Sequence, residues 1–250
     1  MSGAAGQAPL YNARVQHAIR AITLDLDDTL WPFAPIGERI ETALHAWFEA
    51  HSPLTAARFP IEEMRALRLQ VHAEHPEHAH DLGLLRRLTI HRALRDSGGD
   101  IALAEAAHAC FFRERNRVDF YDDALEGLAR LARLRPLAGL TNGNADLAAV
   151  SIDAHFAFNL SACQHGVPKP DPGIFHAACA RLGLAPHEVL HVGDHPHIDV
   201  AGAAAAGLRT CWIDRGDHAW PDDLPPADLH VHTLTALADW LDAPPEDPAA

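Results

Sequence analysis

The chain has 250 residues, 48% of them hydrophobic and 22% charged, which is the composition of an ordinary soluble globular enzyme and enough length for one generous domain or a core with a smaller insert. Twenty Lys and Arg stand against 34 Asp and Glu, a formal charge of -14, which argues against nucleic acid or an anionic membrane as a partner and makes any anionic substrate depend on a local cation. No segment approaches the ~18 apolar residues of a membrane span.

Residues 1–18 contain no h-region of a signal peptide and read as a poorly ordered lead-in, and the segment from about Ala243 reads as a frayed tail. A cytoplasmic protein is expected. The cysteines, Cys110, Cys163, Cys179 and Cys211, form no CxxC pair and sit in apolar contexts, so buried thiols are expected. The apolar run Ala21 to Leu26 predicts a buried first strand that ends in Asp25, Asp27 and Asp28. Trp31-Pro32-Phe33-Ala34-Pro35 reads as an exit linker. A helix follows from Ile36 to Ala50, with Ile36, Ile40, Leu44, Trp47 and Phe48 on one face. A second begins at Ile61 and ends at Pro76, a third carries Leu84 to Leu94 and closes at Ser97-Gly98-Gly99, and a fourth runs from Ile101 to Arg115. No strand is expected between Trp31 and Val118, so residues 31–116 read as a helical bundle domain inserted into a core made of 1–30 and 117–250.

From Asp119 onward helix and strand alternate, which predicts βαβ units and a parallel sheet. Asp122 is expected to cap a helix to Leu134. Strands follow at Leu137 to Leu140, Phe156 to Ala162, Val189 to Val192, Leu208 to Ile213 and Leu229 to Leu234. Asp171-Pro172 starts a helix that Gly183 stops, Val200 to Ala206 forms another, and a last helix reaches Leu241.

Chemistry-bearing residues gather at the carboxyl ends of these strands, where open α/β sheets place their sites. Asp25 and Asp27 leave the first strand together, and two such carboxylates repel unless a cation or a shared proton lies between them. A hard divalent ion bound through oxygen, Mg2+ where phosphates are involved, resolves that repulsion. The second strand ends in Thr141-Asn142-Gly143-Asn144, a hydroxyl, an amide and a loosened backbone suited to an anion. Lys169 lies between Pro168 and Pro170, which stiffen its loop. The fourth strand ends in Gly193-Asp194, with Asp199 five residues on.

Together these elements resemble the haloacid dehalogenase superfamily of aspartate-nucleophile phosphotransferases. The DxDxT element is Asp25-Leu26-Asp27-Asp28-Thr29, the second motif is Thr141, the third is Lys169, and the GDx4D element is Gly193-Asp194 with Asp199. The resemblance implies a Rossmann-like α/β fold, with a parallel sheet in order 5-4-1-2-3 and a helical cap between strands one and two. It implies Mg2+ held by Asp25, by the backbone carbonyl of Asp27 and by Asp194, with Asp199 acting through water. It further implies Asp25 as nucleophile, Asp27 as acid and base, Thr141, Asn142 and Lys169 as phosphate-binding groups, and a small phosphorylated metabolite as substrate of a monomer or small homo-oligomer. For the acid-base role the Asp27 carboxyl pKa must rise, through burial or a like-charged neighbour. Within the superfamily, Leu-Asp-Asp-Thr-Leu-Trp, Leu-Thr-Asn-Gly-Asn, Lys-Pro-Asp-Pro-Gly-Ile-Phe and His-Val-Gly-Asp are most similar to bacterial phosphatases acting on FMN and 5-amino-6-(5-phosphoribitylamino)uracil. One departure is His195, where many relatives carry an acid or Ser.

A 2-haloacid dehalogenase would use the same aspartate without a second acid or a metal, and Asp27 and Asp194 argue against it. A phosphomutase would share the core motifs, and a non-catalytic binding module would have to bury these charges without using them. His72, His75, His78 and His80 invite a zinc reading, but Pro76 interrupts their helix and no cysteine is near, so a polar surface or a substrate-facing rim is the preferred reading.

Overall fold

The computed structural model describes residue 16 and residues 18–243, and the expected lead-in and tail lie outside these except at their inner edges. Strand β1 (Ala21–Leu24) has all four residues buried, as a strand covered by helices on both faces must be. It is flanked by β2 (Leu137–Thr141) and β4 (Val189–Gly193), and the sheet continues through β3 (Phe158–Ser161) on one side and β5 (Arg209–Ile213) and β6 (Leu229–Val231) on the other. Every pairing is parallel and the order is β3-β2-β1-β4-β5-β6. The expected order 5-4-1-2-3 is this sheet read from the other edge, with β6 added beyond β5.

Residues 31–116 form five α-helices: α1 (Ala34–His51), α2 (Pro53–Arg58), α3 (Ile61–Glu74), α4 (Leu82–Ser97) and α5 (Ala104–Arg115). They bury a cluster of their own, including Leu44, Phe48, Leu67, Leu85, Ile90 and Leu94. The sheet is covered on one face by α6 (Ala124–Leu134) and α10 (Leu234–Asp242), whose Leu128, Leu131, Leu234 and Leu237 join Ile22 and Leu190. On the other face α8 (Pro172–Leu182) packs Ile174 and Phe175 against Leu140 and Val189. The short α7 (Ala162–His165) follows β3, and α9 (Gly202–Ala205) precedes β5.

Several boundaries differ from expectation for local reasons. Helix α1 starts inside the expected linker, at Ala34, because Pro35 fits the first helical turn and the Phe33 N–H donates to Asp28 Oδ1 at 2.7 Å. The short helix α2 also begins on a proline, Pro53. Residues Ile101–Leu103 form a 3₁₀ turn ahead of α5, and α4 begins at Leu82, capped by Asp81 through the Leu84 N–H. The N-cap position of α6 belongs to Asp123 rather than Asp122, and its carboxylate turns away to Arg215 and to the Leu234 N–H. The third strand is trimmed by a 3₁₀ turn at Asp153–His155, and the sixth stops at Val231 because Thr233 caps α10. The helix expected from Val200 begins earlier, as a wide π turn over Pro196–Ala201. Cys110, Cys179 and Cys211 are buried, but Cys163 is exposed on the four-residue α7.

Candidate active site

The chain leaves β1 toward β2 and β3 and later returns on the opposite side as β4, so the carboxyl ends of β1 and β4 border the crevice where connections diverge. The sheet pairing runs past Leu24, as the Asp25 N–H donates to the Val192 carbonyl at 2.9 Å, and this sets Asp25 beside Gly193-Asp194. Carboxylate oxygens of Asp25, Asp194 and Asp199 lie within 4.8 Å of one another and all three residues are buried. Gly193 is required for this approach, because a Cβ there would lie 2.3 Å from Asp199 Cγ.

Lys169 reaches into this acidic group from the loop before α8. Only 3% exposed, its Nζ donates to Asp25 Oδ1 at 2.6 Å and to Asp199 Oδ1 at 2.7 Å. The loop is fastened to the end of β2: Asn142 Nδ2 donates to the Lys169 carbonyl at 2.9 Å and the Lys169 N–H to Asn142 Oδ1 at 2.8 Å. Burial disfavours the ammonium, yet the two carboxylates outweigh it and hold the Lys169 pKa above its ordinary value. Asp199 also accepts from the His195 N–H at 3.1 Å, and His191 Nε2 lies 3.2 Å from its Oδ1. Burial would raise the Asp199 pKa, but Lys169 and His191 bring it below the usual carboxylate range. Both Asp199 oxygens are therefore engaged by protein, which makes this residue a fastener of Lys169 and of the turn after β4.

Asp25 and Asp194 are differently placed. Burial raises the pKa of Asp25 well above the ordinary value despite Lys169, and burial with the nearby Asp199 raises that of Asp194 to about 7. Asp194 is oriented by Thr29 Oγ1, which donates to Oδ1 at 3.0 Å, while the Trp212 indole donates to the Asp194 backbone carbonyl at 2.7 Å. Two carboxylates raised in this way, beside one ammonium, form an all-oxygen set short of positive charge, which fits a hard divalent cation. Among the described residues His72, His75, His78 and His80 form no comparable group. Among the described residues the only other set close enough to share an ion is Asp214, His230 and His232.

Asp27 lies on the substrate-facing side. Arg115 Nη2 donates to its Oδ1 at 2.9 Å and to Oδ2 at 2.6 Å, and Trp31 Nε1 donates to Oδ1 at 2.8 Å. The sequence called for burial or a like-charged neighbour at this acid; the residue is half-buried beside Asp28, and a guanidinium holds it as well. Arg115, at the end of α5, is itself oriented by Asn144 Oδ1 at 2.9 Å, and its Nη1 is buried without a hydrogen-bond partner. Thr141 is buried at the end of β2, where its Oγ1 accepts from the Gly143 N–H at 2.9 Å. Asp25, Asp27, Thr141, Asn142, Lys169, Asp194 and Asp199 line a single open cleft with Gly143, His195 and His218. All the residues expected of the site therefore meet in one place. Sequence reasoning missed Arg115, because one arginine in Arg113-Glu114-Arg115-Asn116-Arg117 looks like any solvated charge. It also missed the clamps from Trp31, Thr29 and His191, the first two of which lie inside or beside the first motif.

Comparison with known proteins agrees with this geometry. Residues 19–207 match the family of haloacid dehalogenase-like hydrolases. The chain is 34% identical over 227 residues to the 5-amino-6-(5-phospho-D-ribitylamino)uracil phosphatase YigB of Escherichia coli, covering 88% of this chain and 94% of that one. It is 32% identical to a phosphoserine phosphatase of Thermus thermophilus, covering 79% of this chain and 90% of the relative. Among solved structures, a 2-haloacid dehalogenase from Pseudomonas syringae superposes with a TM-score of 0.82 at 36% identity, over 89% of this chain and 98% of that one. A fold with its sheet crevice at β1 and β4, a charge-matched site there and this similarity over nearly the whole chain lead to one assignment: the chain belongs to the haloacid dehalogenase-like hydrolases.

Proposed function

We propose that the chain is a Mg2+-dependent phosphomonoesterase that hydrolyses a small phosphorylated metabolite through an aspartyl phosphate on Asp25. The observation that carries this reading is the pairing of two differently solvated acids: Asp25 beside Lys169 and Asp194 in the buried group, and Asp27 held toward the cleft by Arg115 and Trp31. A dehalogenase needs the first acid but neither the second nor the metal-binding carboxylate. The similarity to a solved 2-haloacid dehalogenase keeps that reaction as the second reading.

Mg2+ would be held by Asp25, Asp194 and the backbone carbonyl of Asp27, with Asp199 reached through water, and when bound it would neutralise charge on the phosphoryl oxygens. The Asp25 carboxylate attacks phosphorus in line, with Lys169 offsetting charge on both the nucleophile and the incoming phosphate. Thr141, with the Asn142 amide beside it, donates to the transferring phosphoryl group. Asp27 delivers a proton to the leaving alkoxide and then takes one from the water that cleaves the aspartyl phosphate. Arg115 holds both oxygens of this carboxylate, so proton delivery calls for the pair to loosen when substrate fills the cleft. The inserted helices, residues 31–116, act as a cap that excludes bulk water.

FMN and the ribityl phosphate named in the Escherichia coli relative are the first substrates to assay, followed by phosphoserine. The test of reaction class is phosphate release from p-nitrophenyl phosphate after chelation with EDTA and again after Mg2+ is restored. Activity that disappears and returns supports the proposal. No phosphate release together with halide release from a 2-haloacid in EDTA establishes the second reading instead.

A further inference from the structure

Between the inserted helices and the sheet edge lies a cavity of about 580 Å³, opening on the Asp27 side of the catalytic cleft. Its core wall carries Asp27, Asn142 and Gly143, and its helical wall carries Arg65, Arg68 and His72 of α3 and Arg86 of α4. This is the space into which the part of the substrate beyond the phosphate must project, since Asp27 has to reach the leaving oxygen.

Of the arginines that line the cavity, Arg115 pairs with Asp27, Arg65 also donates to Glu62 Oε1 at 2.6 Å, and only Arg86 lacks an ion pair among the described residues. Glu41, the nearest acid, is shared by Arg65, which donates to Oε2 at 2.6 Å, and by Arg68 at 3.6 Å from Oε1. Arg86 has no ion pair and no hydrogen bond among the described residues, and its guanidinium rests on the Phe111 ring at 4.9 Å from the centroid. Burial and repulsion from Arg68 pull its pKa down to about 10, with Glu41 opposing them only in part. Glu38 and Asp28 also face the cavity, but the Asp28 carboxylate accepts from the Phe33 N–H. A half-buried guanidinium with no protein hydrogen-bond partner is a strong receptor for a carboxylate or phosphate.

We infer that Arg86, with Arg68 beside it, forms an anion subsite in the cavity and selects phosphomonoesters whose leaving group carries a second oxyanion. This rests on the phosphatase reading and narrows its substrate class. An anion there would give Arg86 the ion pair it lacks, whereas a neutral polyol would not.

The test is kcat and KM of wild type, Arg86→Gln and Arg86→Lys on four Mg2+-supported substrates: p-nitrophenyl phosphate, glycerol phosphate as the neutral polyol, phosphoserine for the carboxylate and a sugar bisphosphate for the second phosphate. Wild type should prefer one or both doubly anionic esters to glycerol phosphate by about tenfold or more in kcat/KM, and the preferred arm identifies the oxyanion. Arg86→Gln should raise KM for that ester at least tenfold more than it does for p-nitrophenyl phosphate, and Arg86→Lys should recover part of the loss. Equal losses on every substrate, or a wild type indifferent to the second charge, overturn the inference while p-nitrophenyl phosphate turnover leaves the phosphatase reading standing. Absence of turnover on p-nitrophenyl phosphate overturns both.

Discussion

Gly143 gives a direct test of whether the position of Asp27 matters. A Cβ at this residue would sit 2.4 Å from Asp27 Oδ2, 3.0 Å from Arg115 Nη2 and 3.2 Å from Thr141 Oγ1. In Gly143→Ala the acid must retreat by about 1 Å to reach ordinary contact. It cannot do so freely, because Trp31 holds one carboxylate oxygen and Arg115 both. A misplacement of about 1 Å at a reacting group costs on the order of 10²-fold in rate, while the strain of one added methyl, about 1–3 kcal/mol if nothing yields, lowers stability without preventing folding. The assay compares the first-turnover release of p-nitrophenol with that of an alcohol from an alkyl phosphate. Because p-nitrophenolate leaves without a proton, the loss should be concentrated on the alkyl ester. A folded Gly143→Ala protein that hydrolyses alkyl phosphates within a few-fold of wild type would refute the role given to Asp27 and to its two clamps.

Asp25→Asn should fold with unchanged circular dichroism and lose turnover by several orders of magnitude, since an amide cannot form the acyl phosphate; retention of activity in a cleanly purified sample would end the mechanism. Lys169→Met leaves Asp25 and Asp199 buried without their cation, and denaturant titration should give about 3–5 kcal/mol less stability together with loss of activity. An unchanged midpoint would contradict the burial of the triad. Asp123→Asn tests the joint between α6, Arg215 and α10. Burial raises the Asp123 pKa, but two hydrogen bonds from Arg215 and one from the Leu234 N–H bring it below the ordinary 3.8. A depressed carboxyl contributes stability above its unfolded pKa and loses it as pH falls through the folded one. The mutant should therefore melt below wild type at pH 7, with the gap closing below about pH 4; a gap independent of pH would show that the charge of Asp123 is irrelevant.

Much of this protein was legible in the amino-acid order because the informative residues are neighbours in the chain. Asp25, Asp27 and Thr29 follow one buried strand, and Gly193 and Asp194 close another, so apolar runs ending in acids located both strand ends without any tertiary information. Proline and glycine marked the limits of α8, and the stretch without strand-like alternation over residues 31–116 marked the inserted helices. What only the tertiary structure decided is the electrostatics between distant segments. Arg115 meets Asp27 across 88 residues, Lys169 meets Asp25 across 144, and Thr29 meets Asp194 across 165. Whether a carboxyl sees a guanidinium, an ammonium or another acid depends on which loops the sheet order makes adjacent, and chain order alone carries no such distance. Asp27 is the clearest case: its place at the end of β1 follows from sequence, but the cation that holds its carboxylate comes from the last turn of α5, a helix that packs against α1 and α4.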